Sequence, residues 1–294
     1  MYLLGNHFHS NEENNINKTN KNIIPESSKN NGTVQIIDDL PFEYAKFFLT
    51  STIKVKLLLS LEKGNKNLEM MRKSLKKPSA SIMHGLKELK NDGLVVKHGK
   101  NYSLTSIGYL TSLNLVKLIE SLYSNKINSI FWKNHDITSI PKESFENSYY
   151  LEETHLVNSS QDDLLKPMQK YLDIFSGSKE LRMILPFFSS DYLDPLFNNL
   201  GKNLLKLEII TTANIENNLL KRYFDKLEYF DVLIVHKENL NLFLTCSEKW
   251  FSLGLNDLNG NYDDSVLLLS SSKNSIMWGT DILNFYKENE IRKK

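Results

Sequence analysis

The sequence predicts two domains of different class, a small α+β domain of short helices and a hairpin, followed by an α/β domain with a mixed sheet flanked by helices. Three observations predict it. Two short runs of helical periodicity around a tight turn, then two β-prone runs around Gly99-Lys100-Asn101, fall within about forty residues of one another. From about residue 125 onward, strand-like and helix-like runs alternate. Net positive charge is concentrated in the first of these regions, whereas the second is net negative. At 294 residues the chain is long enough for two domains and too long for one small core.

Asparagine dominates residues 6–33, where Ile16, Ile23 and Ile24 are almost the only apolar side chains, too few to hold a core. The expectation is a disordered Asn-rich tail over 1–35, with packed structure starting near 34–41. From Pro41 the pattern changes, and Phe42, Ala45, Phe47, Phe48 and Leu49 precede Ile53, Val55, Leu57, Leu58, Leu59 and Leu61 at broadly helical spacing. After Gly64-Asn65, the residues Leu68, Met71 and Leu75 fall at i, i+3 and i+7, a two-turn helix that stops at Lys76, Lys77 and Pro78. A proline in the first turn of a helix loses no hydrogen bond, because its N–H would have no intrahelical partner there. A second helix is therefore expected from near Pro78. Ile82, Leu86 and Leu89 share one face of it, Ser79, Ala80, Met83, Lys87 and Lys90 lie on or near the other, and Asn91-Asp92-Gly93 ends it.

The run 94–98 is β-prone, Gly99-Lys100-Asn101 makes a turn, and 102–104 returns, which predicts a hairpin with a basic tip. Thr105 is placed to cap a helix carrying Ile107, Leu110, Leu113, Leu115, Val116, Leu118, Ile119 and Leu122, apolar over more than one face. Such a helix needs a partner, either its own C-terminal domain or the same helix of a second chain. Farther on, strands are expected at 181–186, 207–211, 232–236, 240–245 and 265–269, and helices at 162–175, 192–200, 215–227 and 275–286. The predicted domains are 36–104, a linker or dimerisation helix at 105–125, and 126–294.

Between Thr52 and Tyr102 twelve basic residues face four acidic ones, so that segment carries roughly +8, whereas from Ser121 to the end 19 basic and 24 acidic residues leave roughly −5. Only the first region suits a polyanion. Helix, tight turn, second helix and a basic two-stranded wing, in that order, make a winged helix-turn-helix, whose second helix enters the major groove. The predicted fold is thus an α+β winged helix-turn-helix domain followed by an α/β domain. Ser79, Ser81, His84 and Lys87 are the candidate DNA-facing residues of the second helix. Lys97, His98, Lys100 and Asn101 would meet the adjacent backbone or minor groove from the wing, and Lys76 and Lys77 would contact phosphates from the turn. Taken singly, Ser79 reads equally well as a helix cap, His84 as a half-buried ring and Lys87 as a solvent-facing helix former. Their clustering in the one strongly basic region favours DNA.

The run PSASIMHGLKELKNDGLVVKHGKNYSLTSIGYL (78–110) resembles the recognition helix and wing of archaeal ArsR-like regulators, in which a serine-rich helix start, a leucine ladder and "GLV" recur. FWKNHDITSIP (131–141), DDLLKPMQKYLDIF (162–175), ELRMILPFF (180–188) and WGTDILNFYKEN (278–289) resemble the FilR-type output domain of methanogen regulatory proteins that control methanogenesis genes and filament growth. The resemblance covers roughly 40–290 and implies a DNA-binding regulator with a winged helix and an α/β output domain. Two positions depart from that pattern. Pro78 stands where the family often has a serine cap, and Gly85 weakens its helix by about 1 kcal/mol relative to alanine.

An enzyme is the rival class, and its motifs are missing: no glycine-rich phosphate loop, no GxSxG and no HExxH occurs. His236 and Lys237 are adjacent, which is not the histidine, spacer, lysine pattern of phospholipase-D-like enzymes, although the expected strand order is somewhat like that fold. His135 and Asp136 read as turn or capping residues after a helix at 131–133, with His135 a weak ligand candidate. Phe187, Phe188 and Tyr192 follow a strand end, where open α/β sheets place ligand crevices, and Trp250 and Trp278 are candidates to line the same pocket. Ordinary aromatic core is the alternative for all five. No cofactor is indicated. Cys246 alone can form no internal disulfide and reads as a buried strand residue. Apolar runs are too short to cross a bilayer, and the first residues carry no secretory pattern, so a cytoplasmic protein is expected. The leading expectation is a regulator that binds double-stranded DNA as a homodimer, gated by an unknown small-molecule or protein effector. A protein-docking winged helix is the alternative, and an enzyme with an appended winged helix stands behind both.

Overall fold

The computed structural model describes residues 42–235, 240–288 and 290–291, so the expected tail, the start of packing at 34–41, and the pair His236 and Lys237 lie outside the described residues. The described residues separate into two compact units, one of residues 42–127 together with Asn147–Glu152, the other of Asn128–Glu146 and Glu153 onward.

In the first unit the order is α1 (Phe42–Leu49), α2 (Thr52–Glu62), β1 (Lys66–Asn67), α3 (Leu68–Leu75), α4 (Ser79–Asn91), β2 (Val95–His98), β3 (Asn101–Leu104) and α5 (Ser106–Ile127), with a 3-10 turn at Ser148–Leu151 packed on α5. Leu57, Leu58, Met71, Ile82, Leu86, Leu89 and Leu94 close the core with almost no exposed surface. At about 1.5–3 kcal/mol for each buried aliphatic side chain, this cluster holds the short helices together, since helices of two or three turns are marginal alone. The hairpin closes with His98 opposite Asn101, and Gly99, at φ +60, occupies the first of the two turn residues, the place of glycine in a type II′ turn. β1 adds a third strand against β3, with Lys66 opposite Tyr102. The sequence reading did not foresee it, because a strand of two residues has no periodicity.

Two glycines let helices approach backbone or side chain. A β-carbon on Gly85 would lie 2.8 Å from Leu57 Cδ1, so the residue that lowers the helix propensity of α4 is what lets it pack against α2. Gly108 passes directly under the Leu94 carbonyl. Thr105 Oγ1 donates to Gly93 O at 2.7 Å and accepts from Gly108 N at 3.1 Å, capping α5 as expected.

The second unit contains α6 (Ser129–Asn134), α7 (Lys142–Phe145), β4 (His155–Asn158), α8 (Lys166–Phe175), β5 (Glu180–Leu185), α9 (Ser190–Asn199), β6 (Lys206–Thr211), α10 (Ala213–Tyr223), β7 (Phe230–Val235), β8 (Leu242–Ser247), β9 (Phe251–Leu255), β10 (Val266–Ser270), α11 (Lys273–Glu288) and β11 (Glu290–Ile291). Eight strands form one mixed sheet in the order β11-β7-β6-β5-β8-β9-β10-β4. β5, β6 and β7 are parallel, joined through α9 and α10, and the remaining pairs are antiparallel. α8, α9 and α10 pack on one face around Tyr171, Phe197, Leu219, Tyr223 and Phe243. α11 covers the other, where Arg182 donates from Nε to Glu208 Oε1 at 2.8 Å and from NH2 to Asn284 Oδ1 at 3.0 Å, and Lys287 donates to Glu208 Oε2 at 2.6 Å. An N-terminal α+β region followed by a mixed sheet flanked by helices is the fold class the sequence predicts. Three of the eight sheet strands lie outside the five expected from the sequence: β9, β4 and the two-residue β11. β9 is buried at all five positions, which erases the alternation that marks a half-buried strand, and β4 is a four-residue edge strand. α8 starts four residues later than expected, with Pro167 in its first turn.

Candidate nucleic-acid interface

α3 is held at its start by Asn67, whose Oδ1 accepts from Met70 N at 2.9 Å, and at its end by Lys76 in the left-handed region, φ 49 and ψ 44. Among the described residues Lys76 is the only non-glycine with positive φ. That residue turns the chain sharply enough for α4 to begin at Ser79. Pro78 occupies the cap position with no side-chain cap bond, so Ser79 is the first helical residue rather than a cap, and the first N–H groups of α4 have no side-chain partner.

All ten residues named from the sequence as DNA-facing, Lys76, Lys77, Ser79, Ser81, His84, Lys87, Lys97, His98, Lys100 and Asn101, are exposed. Ile82, Leu86 and Leu89 are buried, which turns the stripe Ser79, Met83, Lys87 outward at helical spacing. Met83, Lys97, Gly99 and Lys100 line one groove of about 400 Å³ with Asn67, Leu68, Glu69 and Tyr102. The second helix and the wing thus share a surface. Glu69, the one acid in the groove, is drawn toward Lys73 (Oε1 to Nζ 3.1 Å), and that hydrogen bond and charge lower its pKa. His84 Nδ1 lies 3.3 Å from Glu88 Oε2, and the same carboxylate oxygen is 3.8 Å from the buried Lys54 Nζ, which also sits 3.6 Å over the Phe47 ring. Lys54 is therefore a tie between α2 and α4, counted in the basic region by sequence but spent inside the fold.

The residues named for a pocket in the second unit divide. Phe187 and Phe188 pack with Tyr192 and Trp250 against the core under α8 and α9, and Phe187 lies 4.3 Å from Tyr262 and 5.3 Å from Phe243, ring centre to ring centre. Burial pushes the Tyr192 phenol up to about 12, and the hydroxyls of Tyr192 and Tyr262 are buried beside each other. Trp278 is on α11, across the sheet, buried edge-on to Phe251 with Nε1 donating to Ser144 O at 2.7 Å. His135 is buried too, with Nδ1 2.6 Å from Phe131 O and Nε2 3.1 Å from Asp263 Oδ2, while Asp136 Oδ1 accepts from Thr138 N. One pocket joining all six is therefore not what the sheet builds: Trp278 is cut off by the sheet itself, and His135 caps α6 as the alternative reading had it. Among the described residues no group of three or more His, Cys, Asp or Glu is placed to hold a metal ion. No helix of the described residues is long and apolar enough to cross a membrane.

Two family profiles match this chain: residues 42–123 match the N-terminal domain of the methanogenesis regulatory protein FilR1, and residues 164–289 its middle domain. Neither describes an enzyme. A curated relative, the methanogenesis regulatory protein FilR1 of Methanothrix harundinacea (strain 6Ac), is 25% identical over 252 residues, which is 83% of this chain and 56% of the relative. The chain thus spans little more than half the length of that protein. Among solved structures, the archaeal chromatin protein TrmBL2 is 14% identical with a TM-score of 0.38, over 88% of this chain and 100% of that one. NucT from Helicobacter pylori is 16% identical with a TM-score of 0.39, over 48% of this chain and 98% of that one. Both superpositions are too loose to establish a shared fold, so a phospholipase-D-like topology does not follow from them.

Proposed function

The chain belongs to the family of the methanogenesis regulatory protein FilR1, and from that membership we propose that it is a sequence-specific DNA-binding transcriptional regulator. α4 enters the major groove with Ser79, Ser81, His84 and Lys87 toward the bases and phosphates. Lys97, His98, Lys100 and Asn101 bring the wing onto the adjacent backbone or minor groove, and Lys76 and Lys77 neutralise phosphates at the turn. One observation carries this reading: Met83, in the middle of the exposed stripe of α4, and the wing lysines Lys97 and Lys100 border the same groove, in the region of roughly +8 charge. The uncapped start of α4 adds free N–H groups and the positive end of the helix dipole on that side. Two chains pair through α5, on which Ile107, Leu110, Leu118 and Leu122 stand exposed, and the second unit receives the effector signal in the cytoplasm.

A mobility-shift experiment at two salt concentrations tests it, with wild type beside the Lys87→Ala, Lys100→Ala double variant. Binding by wild type that weakens with salt and is lost in the variant supports the reading. Failure of wild type to bind any duplex would turn the winged helix into a protein-docking module.

A further inference from the structure

Between the polar and basic residues of α4 lie two apolar ones that phosphate binding does not use. Ala80 and Met83 are both exposed, Met83 by 44%, at i and i+3 on the outward face. Lys87 follows one turn later on the same stripe, and the groove beside Met83 is bordered by the cations Lys97 and Lys100 and by the apolar side of Leu68 and Tyr102, with Glu69, held by Lys73, its one acid. The methyl and thioether of these two side chains offer a phosphate no donor, unlike the lysines beside them. They suit the edge of the major groove at a thymine, where the 5-methyl group is the only apolar feature that any base presents. Methionine is the side chain most able to adjust to such a contact, through three rotatable bonds and a polarisable sulfur.

We propose that Ala80 and Met83 read thymine 5-methyl groups, with Met83 the principal specificity-determining residue of α4. This rests on the DNA-binding reading above and adds to it which base feature the helix selects. Lys76, Lys77 and the wing lysines hold the helix against the backbone and supply most of the affinity, without base information. Met83 adds discrimination through burial of a methyl group, about four-fold in affinity per methyl, which is 0.8 kcal/mol converted at RT of about 0.59 kcal/mol.

The test uses the full chain and a random-sequence duplex library. Duplexes retained by wild type are sequenced, and one enriched duplex is resynthesised with deoxyuridine for deoxythymidine at one position at a time, which removes a methyl and nothing else. Wild type should bind the uracil duplex about three- to five-fold more weakly at one or two positions. Met83→Gln, similar in length but polar, should bind both duplexes alike, with the affinity that wild type has for the uracil one, whereas Met83→Leu should keep the difference. Met83 is exposed, so these variants leave the core intact, and an unchanged melting temperature checks that. Equal binding of thymine and uracil duplexes by wild type overturns the inference while leaving DNA binding in place. So does a methyl effect that survives in Met83→Gln. If no duplex is retained at any salt concentration, the DNA-binding reading itself falls, and this inference with it.

Discussion

Gly108 lies so close under the Leu94 carbonyl that a β-carbon there would overlap the oxygen. That oxygen is not free to move, because it accepts from Thr105 N at 3.0 Å where the wing hands over to α5. Gly108→Ala therefore forces backbone apart, and the first unit should lose about 3 kcal/mol or more. At roughly 4–8 °C per kcal/mol for a domain of this size, its melting temperature should fall by at least about 12 °C. Gly85→Ala is the contrast. Its β-carbon crowds only Leu57 Cδ1, the end of a flexible side chain, with Ile53 at ordinary contact distance, and alanine raises helix propensity by about 1 kcal/mol, so its stability should stay within about 1 kcal/mol of wild type. Calorimetry of the two variants decides, and equal losses would contradict the assignment of backbone to one and side chain to the other.

Glu208 gives the second unit an acid limit. Burial alone would raise its carboxyl pKa, but the hydrogen bonds from Lys287 and Arg182 and their charges more than reverse that, and the net shift is downward from 4.5. A group depressed in the folded state stabilises above its unfolded pKa, and that contribution disappears as pH falls through the folded value. Urea midpoints of wild type should thus drop below about pH 4.5 more steeply than those of Glu208→Gln. At pH 7 the variant should be less stable by about 3 kcal/mol, since it leaves two cations facing a neutral amide.

Cys246 is buried on β8, and that burial pushes its thiol up to about 12. At neutral pH it should therefore resist thiol reagents in the folded protein, and labelling should follow the urea unfolding of the second unit. Rapid modification of the native chain would place the thiol outside the core. Gly279→Ala should open it, since a β-carbon there would stand 2.6 Å from Sγ and 2.7 Å from Phe251 Cδ2.

The proposed pairing through α5 makes a mass prediction. Leu110 and Leu122 are 60% and 59% exposed, and replacing both with glutamate should give monomers by light scattering at micromolar concentration, with the fold of each unit retained. A wild-type chain that is already monomeric there removes the pairing.

Much of the winged helix was legible from short-range signals. Leu68, Met71 and Leu75 mark α3, Pro78 marks the start of α4, Gly99 the wing turn and Thr105 the cap of α5, and each expresses a preference that acts within one or two turns of chain. In the second unit the five strands that had been expected lie within two residues of their places, while β9 left no trace because its burial on both faces removes the alternation. Side-chain assignments fared unevenly for the same reason. Lys54 counts as one more surface cation by sequence, yet it is buried against Phe47 and Glu88.

The sequence by itself determined where α3, α4 and the wing turn fall, which region is basic, and the outward stripe of α4, since these depend on local spacing and composition. Tertiary structure decided that Gly85 and Gly108 are points of close approach, that β1 joins the wing, that Glu208 is satisfied from Arg182 and Lys287, and that the sheet separates Trp278 from Phe187. Each of these is a contact between residues far apart in the chain, fixed by how faces pack and strands register, and no local preference encodes which distant residue will arrive.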